Sequence, residues 1–166
     1  MKKLVCVLVL CCLVLSGCGG GSKVEVADSD GDGMLSCTLT IRCDTILDNM
    51  DQQKEGKDAF VPDDGLLLET GTVEFEAGDT VLDLLKREII ARNMHFEYTD
   101  ATAYSSVYVE GICNLYEFDC GAGSGWEYCV NGVFPGIGCD DYILADGDEV
   151  IFAYTCDFGA DVGDSK

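Results

Sequence analysis

Eleven of the 166 residues are cysteine. A chain so rich in thiols folds differently according to whether it meets an oxidising or a reducing compartment. The N-terminus bears on that question. Met1-Lys2-Lys3 precedes an almost wholly apolar run from Leu4 to Leu15, which ends in Leu15-Ser16-Gly17-Cys18. A basic start, a short apolar core and small residues before a cut point are the order of a secretory signal. The run is about a dozen residues, short of the ~20 that a bilayer-spanning helix needs. Leu-Ser-Gly-Cys is a lipoprotein cleavage box. Removal of residues 1–17 leaves Cys18 at the new N-terminus, free to take a diacylglyceryl group, and several acyl chains hold a protein on a membrane far better than one. Gly19-Gly20-Gly21-Ser22 then makes a flexible tether. The expectation is a signal peptide at 1–17, a lipid anchor and acidic tether at 18–34, and a protein on the extracytoplasmic face of the cell membrane.

Cys6, Cys11 and Cys12 leave with the signal and Cys18 is lipidated. Cys37, Cys43, Cys113, Cys120, Cys129, Cys139 and Cys156 remain. Outside the membrane these favour disulfides, and their odd number leaves at least one thiol free or joined to another molecule. A zinc site is the alternative, but no Cys-x-x-Cys occurs and the only histidine is His95. Cys37 and Cys43 share one strand-like run. Six residues of strand span ~20 Å and a disulfide needs Cα atoms within ~7 Å, so these two should pair elsewhere. The formal charge is −21 and grows more negative as Lys2 and Lys3 are removed. Such acidity argues against nucleic acid and anionic lipid surfaces as partners.

Asp28-Ser29-Asp30-Gly31-Asp32-Gly33 matches the opening of an EF-hand calcium loop, with carboxylates at positions 1, 3 and 5 and glycine at 6. The bidentate glutamate due at position 12 is Leu39, so a solvated acidic linker is the better reading and no metal site is assigned. From Leu35 to Cys43 the sequence alternates with period 2, as a strand with one buried face does. Residues 44–65 are polar and loop-like, Leu66–Leu68 reads as a short strand, and Thr72–Glu76 alternates again before a turn at Ala77-Gly78-Asp79. Thr80 and Asp83 form a capping box, and Val81, Leu82, Leu85 and Ile89 recur at helical spacing up to Arg92 and Asn93. Strands are predicted at Met94–Thr99 and Ser105–Val109, with a turn at Gly111. After the glycine loop 121–125, Trp126–Val130 reads as a strand. Asn131-Gly132 is a type I′ hairpin signal leading to Val133-Phe134, where Pro135 stops the strand. Glu149–Cys156 alternates as the last strand, and residues 160–166 form a short tail. The fold class expected is α+β: a β-grasp-like mixed sheet with one main helix, stabilised by disulfides, over residues 35–159.

Catalytic signatures are missing: no nucleophile elbow, no phosphate loop and no zinc-protease helix. The glycine loop precedes a strand, whereas phosphate cradling needs a helix N-terminus. No catalysis is expected. A binding site is better supported, because Trp126, Tyr128, Phe134, Tyr142 and Tyr154 gather in the C-terminal half. Trp126 and Tyr128 are two apart and share one strand face. An aromatic face beside a glycine loop can hold a flat or sugar-like ligand.

The block Gly123-Ser124-Gly125-Trp126-Glu127-Tyr128-Cys129-Val130-Asn131-Gly132, followed by Tyr142–Asp148 and Tyr154, resembles DUF4430. That domain is similar to the C-terminal β-domain of transcobalamin and intrinsic factor. Phe75–Leu85 fits its strand–turn–helix, and the likeness runs from about Cys37 to Gly159. The resemblance implies a β-grasp-like fold and cobalamin or a related corrinoid as the small-molecule ligand, with no catalytic cofactor. In the vitamin carriers this domain closes over cobalamin held by a separate helical barrel, so a surface protein partner that completes the site is also implied. Cys113 and Cys129 stand where relatives usually have polar residues, so an added disulfide between those two is expected as a departure from the family. The ligand-binding residues expected are Trp126, Tyr128, Asn131, Phe134 and Tyr154. Trp126 and Tyr128 would supply stacking surface and Asn131 an amide or only a turn. The rival expectation is an adhesive or structural surface domain that contacts protein or glycan and takes no small molecule.

Overall fold

A computed structural model describes residues 34–100 and 106–164. The signal, Cys18, the tether with its calcium-like segment at 28–33, and Ser105 lie outside the described residues. Strand β1 (Leu35–Arg42) forms where the alternation is cleanest, burying Cys37, Leu39 and Ile41. β2 (Leu66–Phe75) pairs with it antiparallel, Leu35 opposite Phe75 and Cys37 opposite Val73. Where the sequence suggests two short strands, β2 is continuous. Its middle, Glu69-Thr70-Gly71, has no hydrophobic period of its own; the ladder with β1 keeps it extended, as tertiary context overrides local preference. A register shift near Leu39 and Ile41 is accompanied by a contact between the Thr40 and Thr70 hydroxyls at 2.7 Å. Between these strands the polar segment is loop with three short 3₁₀ turns.

Helix α1 (Val81–Ala91) starts at the capping box read from sequence. The Thr80 hydroxyl accepts from the Asp83 amide at 3.2 Å, and the Asp83 carboxylate accepts from the Thr80 amide at 3.0 Å. The bonds from the Thr80 backbone and then its side chain hold the Asp83 carboxyl below its usual range. Two further N-terminal amides are satisfied from elsewhere: Val81 donates to the Tyr142 carbonyl and Leu82 to that of Cys139, groups a helix cannot bond internally. Thr80→Ala should therefore destabilise the protein by about 1 kcal/mol, read as a lower urea midpoint with unchanged slope. Val81, Leu84 and Leu85 are fully buried, each contributing roughly 1.5–3 kcal/mol of apolar burial.

β3 (Phe96–Thr99), β4 (Tyr108–Ile112) and β5 (Leu115–Tyr116) make a second, three-stranded sheet in the order β3-β4-β5. Gly111, expected at a turn, lies inside β4 instead. The Tyr116 ring covers it so closely that a Cβ there would sit 2.7 Å from the ring, so glycine serves a close approach rather than a bend. The turn follows at Cys113 and Asn114, whose φ values are 50° and 64°.

β6 (Gly125–Val130) and β7 (Glu149–Thr155) complete the first sheet in the order β2-β1-β7-β6. β1 and β7 are parallel and the outer pairs antiparallel, giving a mixed α+β fold of two sheets and one α-helix among the described residues. Ile41, Phe152 and Tyr128 form one cross-sheet row, and Leu39, Val150 and Val130 the next. Asn131 (φ 53°) and Gly132 (φ 75°) make the tight turn expected. Only Val133 returns, as a single bridge to Val130, so the second hairpin strand is absent.

No disulfide joins the seven described cysteines in this structure, so the expected disulfide framework and the Cys113–Cys129 bond are not confirmed by it. Cys113 lies in the β4–β5 turn, its amide bonded to the His95 carbonyl. Cys129 sits in mid-β6 opposite Ile151, with Arg42 and Glu149 as charged neighbours. Cys37 and Cys43 are both buried, on β1 and just past its end. Among the described residues no helix is long and apolar enough to cross a membrane.

Candidate site: an aromatic cavity at the edge of β6

β6 is the last strand of its sheet, and a cavity of about 500 Å³ opens beside it. That volume is within the range of small-molecule sites. It is lined by β6 from Gly125 to Tyr128 together with Phe152, by Ser106–Val109, by the loop Phe134–Cys139, and at one end by the glycine loop. Phe118 and Phe158 stand at that end, 53% and 74% exposed. Each holds a left-handed backbone, φ 63° and 50°, a conformation bulky residues rarely adopt. Such strain costs on the order of 1–3 kcal/mol and clusters at ligand sites. The Phe158 ring lies across Gly123, where a Cβ would come within 2.8 Å of it.

The polar groups are few and fixed. The Trp126 indole N–H donates to the Leu115 carbonyl at 2.9 Å, so only part of the ring edge faces the cavity. The Tyr128 hydroxyl donates to the Ile137 and Gly138 carbonyls at 2.9 and 3.2 Å, and its ring stacks on Phe152 at 5.9 Å. The Tyr108 hydroxyl donates to the Glu117 carboxylate at 2.8 Å. Burial pushes both phenols far above the usual range, for Tyr108 with Glu117 adding to it, so both stay protonated. Cys139 also lines the cavity, its thiol pushed up to about 12 by burial and then by Asp140. That leaves it protonated and a poor nucleophile at neutral pH. The described lining holds one acidic residue, Glu127, and no histidine, lysine or arginine. The arrangement offers aromatic surface and hydroxyl contacts to a neutral or cationic organic molecule.

Of the five ligand residues expected from sequence, Trp126, Tyr128 and Phe134 line this cavity; Tyr154 and Asn131 do not. Tyr154 is fully buried beneath it, edge-on to Trp126 at 5.2 Å, with its hydroxyl on the Tyr116 carbonyl at 2.6 Å and 3.0 Å from the Ser124 hydroxyl. Asn131 is spent on the fold: its amide nitrogen bonds Asp148 at 2.8 Å and its amide oxygen accepts from the Glu149 backbone at 2.9 Å. Tyr108, Phe118, Ile137 and Phe158 were not singled out by sequence. The one local signal was that both phenylalanines flank turns, Phe158 immediately before Gly159.

Residues 78–156 match the family model described as Domain of unknown function (DUF4430), from the turn before α1 to the end of β7, leaving β1 and β2 outside. No curated protein matches the sequence. A crystal structure of haptocorrin in complex with Cbi superimposes with a TM-score of 0.51 at 14% identity, covering 74% of this chain and 25% of that one. The chain thus spans about a quarter of haptocorrin's length. A crystal structure of a candidate metal binding protein from Ruminococcus gnavus ATCC 29149 aligns at 12% identity and a TM-score of 0.41, over 73% of this chain and 96% of the other. The chain is therefore similar to DUF4430 over residues 78–156, and its fold is similar to part of haptocorrin's.

Proposed function

We propose that the protein is a lipid-anchored extracytoplasmic binding module whose cavity beside β6 takes a corrinoid, cobalamin or cobinamide, without catalysing a reaction. This rests on the pair of exposed, left-handed phenylalanines beside the glycine loop of an aromatic cavity. A fold pays for such strain at sites that hold ligands. The haptocorrin likeness supports the ligand class, and the strand order β2-β1-β7-β6 with parallel central strands supports the β-grasp reading. An open cavity of this size covers one face of so large a ligand, which leaves the opposite face for a surface partner. Anchoring rests on the N-terminal sequence alone and has its own test: Cys18→Ser should abolish incorporation of labelled fatty acid and release the protein from membranes.

Ligand binding is tested by calorimetric titration with cobinamide. Phe158→Gly should weaken binding about tenfold, roughly the 1.4 kcal/mol an exposed aromatic contact provides. The same change should raise stability by about 1 kcal/mol, because glycine adopts the left-handed backbone without strain. Loss of affinity with gain of stability marks a residue kept for binding. If Phe158→Gly leaves saturable binding untouched, the cavity mouth is not where the ligand sits. If no corrinoid binds at all, the adhesive reading gains, with the exposed phenylalanines as contacts for protein or glycan.

A further inference from the structure

We propose that Cys120 and Cys156 form a disulfide that clamps the glycine loop to the end of β7. The two side chains are neighbours, each bearing on the other's thiol. The Cys120 thiol also reaches the Asn49 carbonyl at 3.3 Å and the Cys156 thiol the Thr45 hydroxyl at 3.7 Å. Thr45 and Asn49 are themselves joined by a hydrogen bond from the Asn49 amide to the Thr45 carbonyl at 2.9 Å, so both thiols are seated on one short turn.

The backbone segments that follow the two cysteines are already held together. Gly123 bridges Asp157, the Phe158 amide donates to the Gly123 carbonyl at 2.8 Å, and the Cys120 amide donates to the Ser124 hydroxyl at 3.0 Å. Such approach is what a disulfide needs, Cα atoms within about 7 Å.

The chemistry is thiol–disulfide exchange with a disulfide-bearing oxidant, either a small molecule such as glutathione disulfide or a protein oxidant. One thiol, as its thiolate, attacks a sulfur of the oxidant and expels one thiol. The second attacks the resulting mixed disulfide and expels the other. One protein S–S bond forms, the oxidant's S–S bond breaks, and two electrons and two protons pass to the released thiols. In the folded chain both thiols are buried, out of reach of an oxidant and protonated. The bond therefore closes during folding, while the glycine loop is still open.

The consequence falls on the cavity. Gly123, Ser124 and Gly125 on one side of the bond and Thr155 and Phe158 on the other all line it. The bond closes a loop of about 36 residues, long enough to restrict the unfolded chain strongly. It fixes the end of the cavity where Phe158 stands. The supply of oxidant in cells rests on the extracytoplasmic reading above; the pairing itself does not.

The test is peptide mapping without reductant. The full chain is refolded in a glutathione and glutathione disulfide buffer, its free thiols are capped, and it is digested. In parallel, the protein is isolated from its own cells under the same capping. The expected result is a linked peptide joining Cys120 to Cys156, and a melting temperature that drops by roughly 10–20 °C on reduction. Cys120→Ala, Cys156→Ala and the double variant should lower the melting temperature of the oxidised protein by the same amount, since each removes one and the same bond. Capped Cys120 and Cys156 in the refolded chain, or either of them linked to a different cysteine, overturns the proposal. A link in the refolded chain but not in the protein from cells upholds the pairing and counts against the extracytoplasmic location instead.

Discussion

Tyr154→Ala should destabilise the protein by about 3–5 kcal/mol, the cost of truncating a large aromatic side chain in a closed core. Tyr154 is fully buried, and three elements meet on it. Its ring is edge-on to Trp126 of β6, its hydroxyl donates to the Tyr116 carbonyl of β5, and the same hydroxyl touches Ser124 of the glycine loop. Against a typical total of 5–15 kcal/mol, such a loss leaves a protein near its unfolding midpoint at 37 °C. Tyr154→Phe separates packing from polarity. The ring stays, but the Tyr116 carbonyl loses its donor, which should cost about 1–3 kcal/mol. Urea unfolding of the three proteins measures both steps. Equal and small effects would mean that Tyr154 does not support the cavity floor.

Asp119→Ala should cost about 2–4 kcal/mol at neutral pH, as loss of one partner from a buried ionic cluster does. Asp119 is 3% exposed. Its carboxylate receives Lys57 at 2.8 Å, Lys54 at 3.2 Å and the Tyr116 amide at 2.9 Å. Lys57 in turn lies 4.7 Å over the Tyr116 ring and donates to the Asn114 carbonyl at 2.7 Å. Burial alone would raise the carboxyl; the bonds from Lys57, the Tyr116 backbone and Lys54 outweigh it and hold it below the usual range. A carboxyl whose folded value is depressed stabilises the protein above its unfolded value near 4. That stability disappears as pH falls through the folded value. The wild type should therefore lose stability below about pH 4, and the gap to Asp119→Asn should narrow over the same range. A gap that stays constant from pH 7 to pH 3 would show that the charge of Asp119 contributes nothing.

The elements that were legible in the sequence are those whose signals are local. The Thr80–Asp83 capping box and the period of Val81, Leu85 and Ile89 place α1 to within a residue or two, alternation places β1 and β7, and the glycine loop and Asn131-Gly132 bracket β6. β5 has only Leu115 and Tyr116, too short to show a period. The middle of β2 is a strand because β1 lies beside it, and the partition into two sheets depends on pairings between distant segments. The candidate site divides in the same way. Trp126 and Tyr128 were legible from their shared parity next to a glycine loop. Tyr154 has the same aromatic character, but it stands opposite Trp126 in the ladder, where depth in the sheet makes it core. Phe118 and Phe158 carry only their places beside turns as a local signal, and folding alone brings both to the cavity.

Hydrogen exchange of the full chain with and without saturating cobinamide tests the binding site most directly. Exchange should slow at 106–109, 122–128 and 134–138, with little change along α1 or in β3. No change anywhere, or protection confined to the apolar patch around Ile89, Ile90 and Phe96, would contradict it.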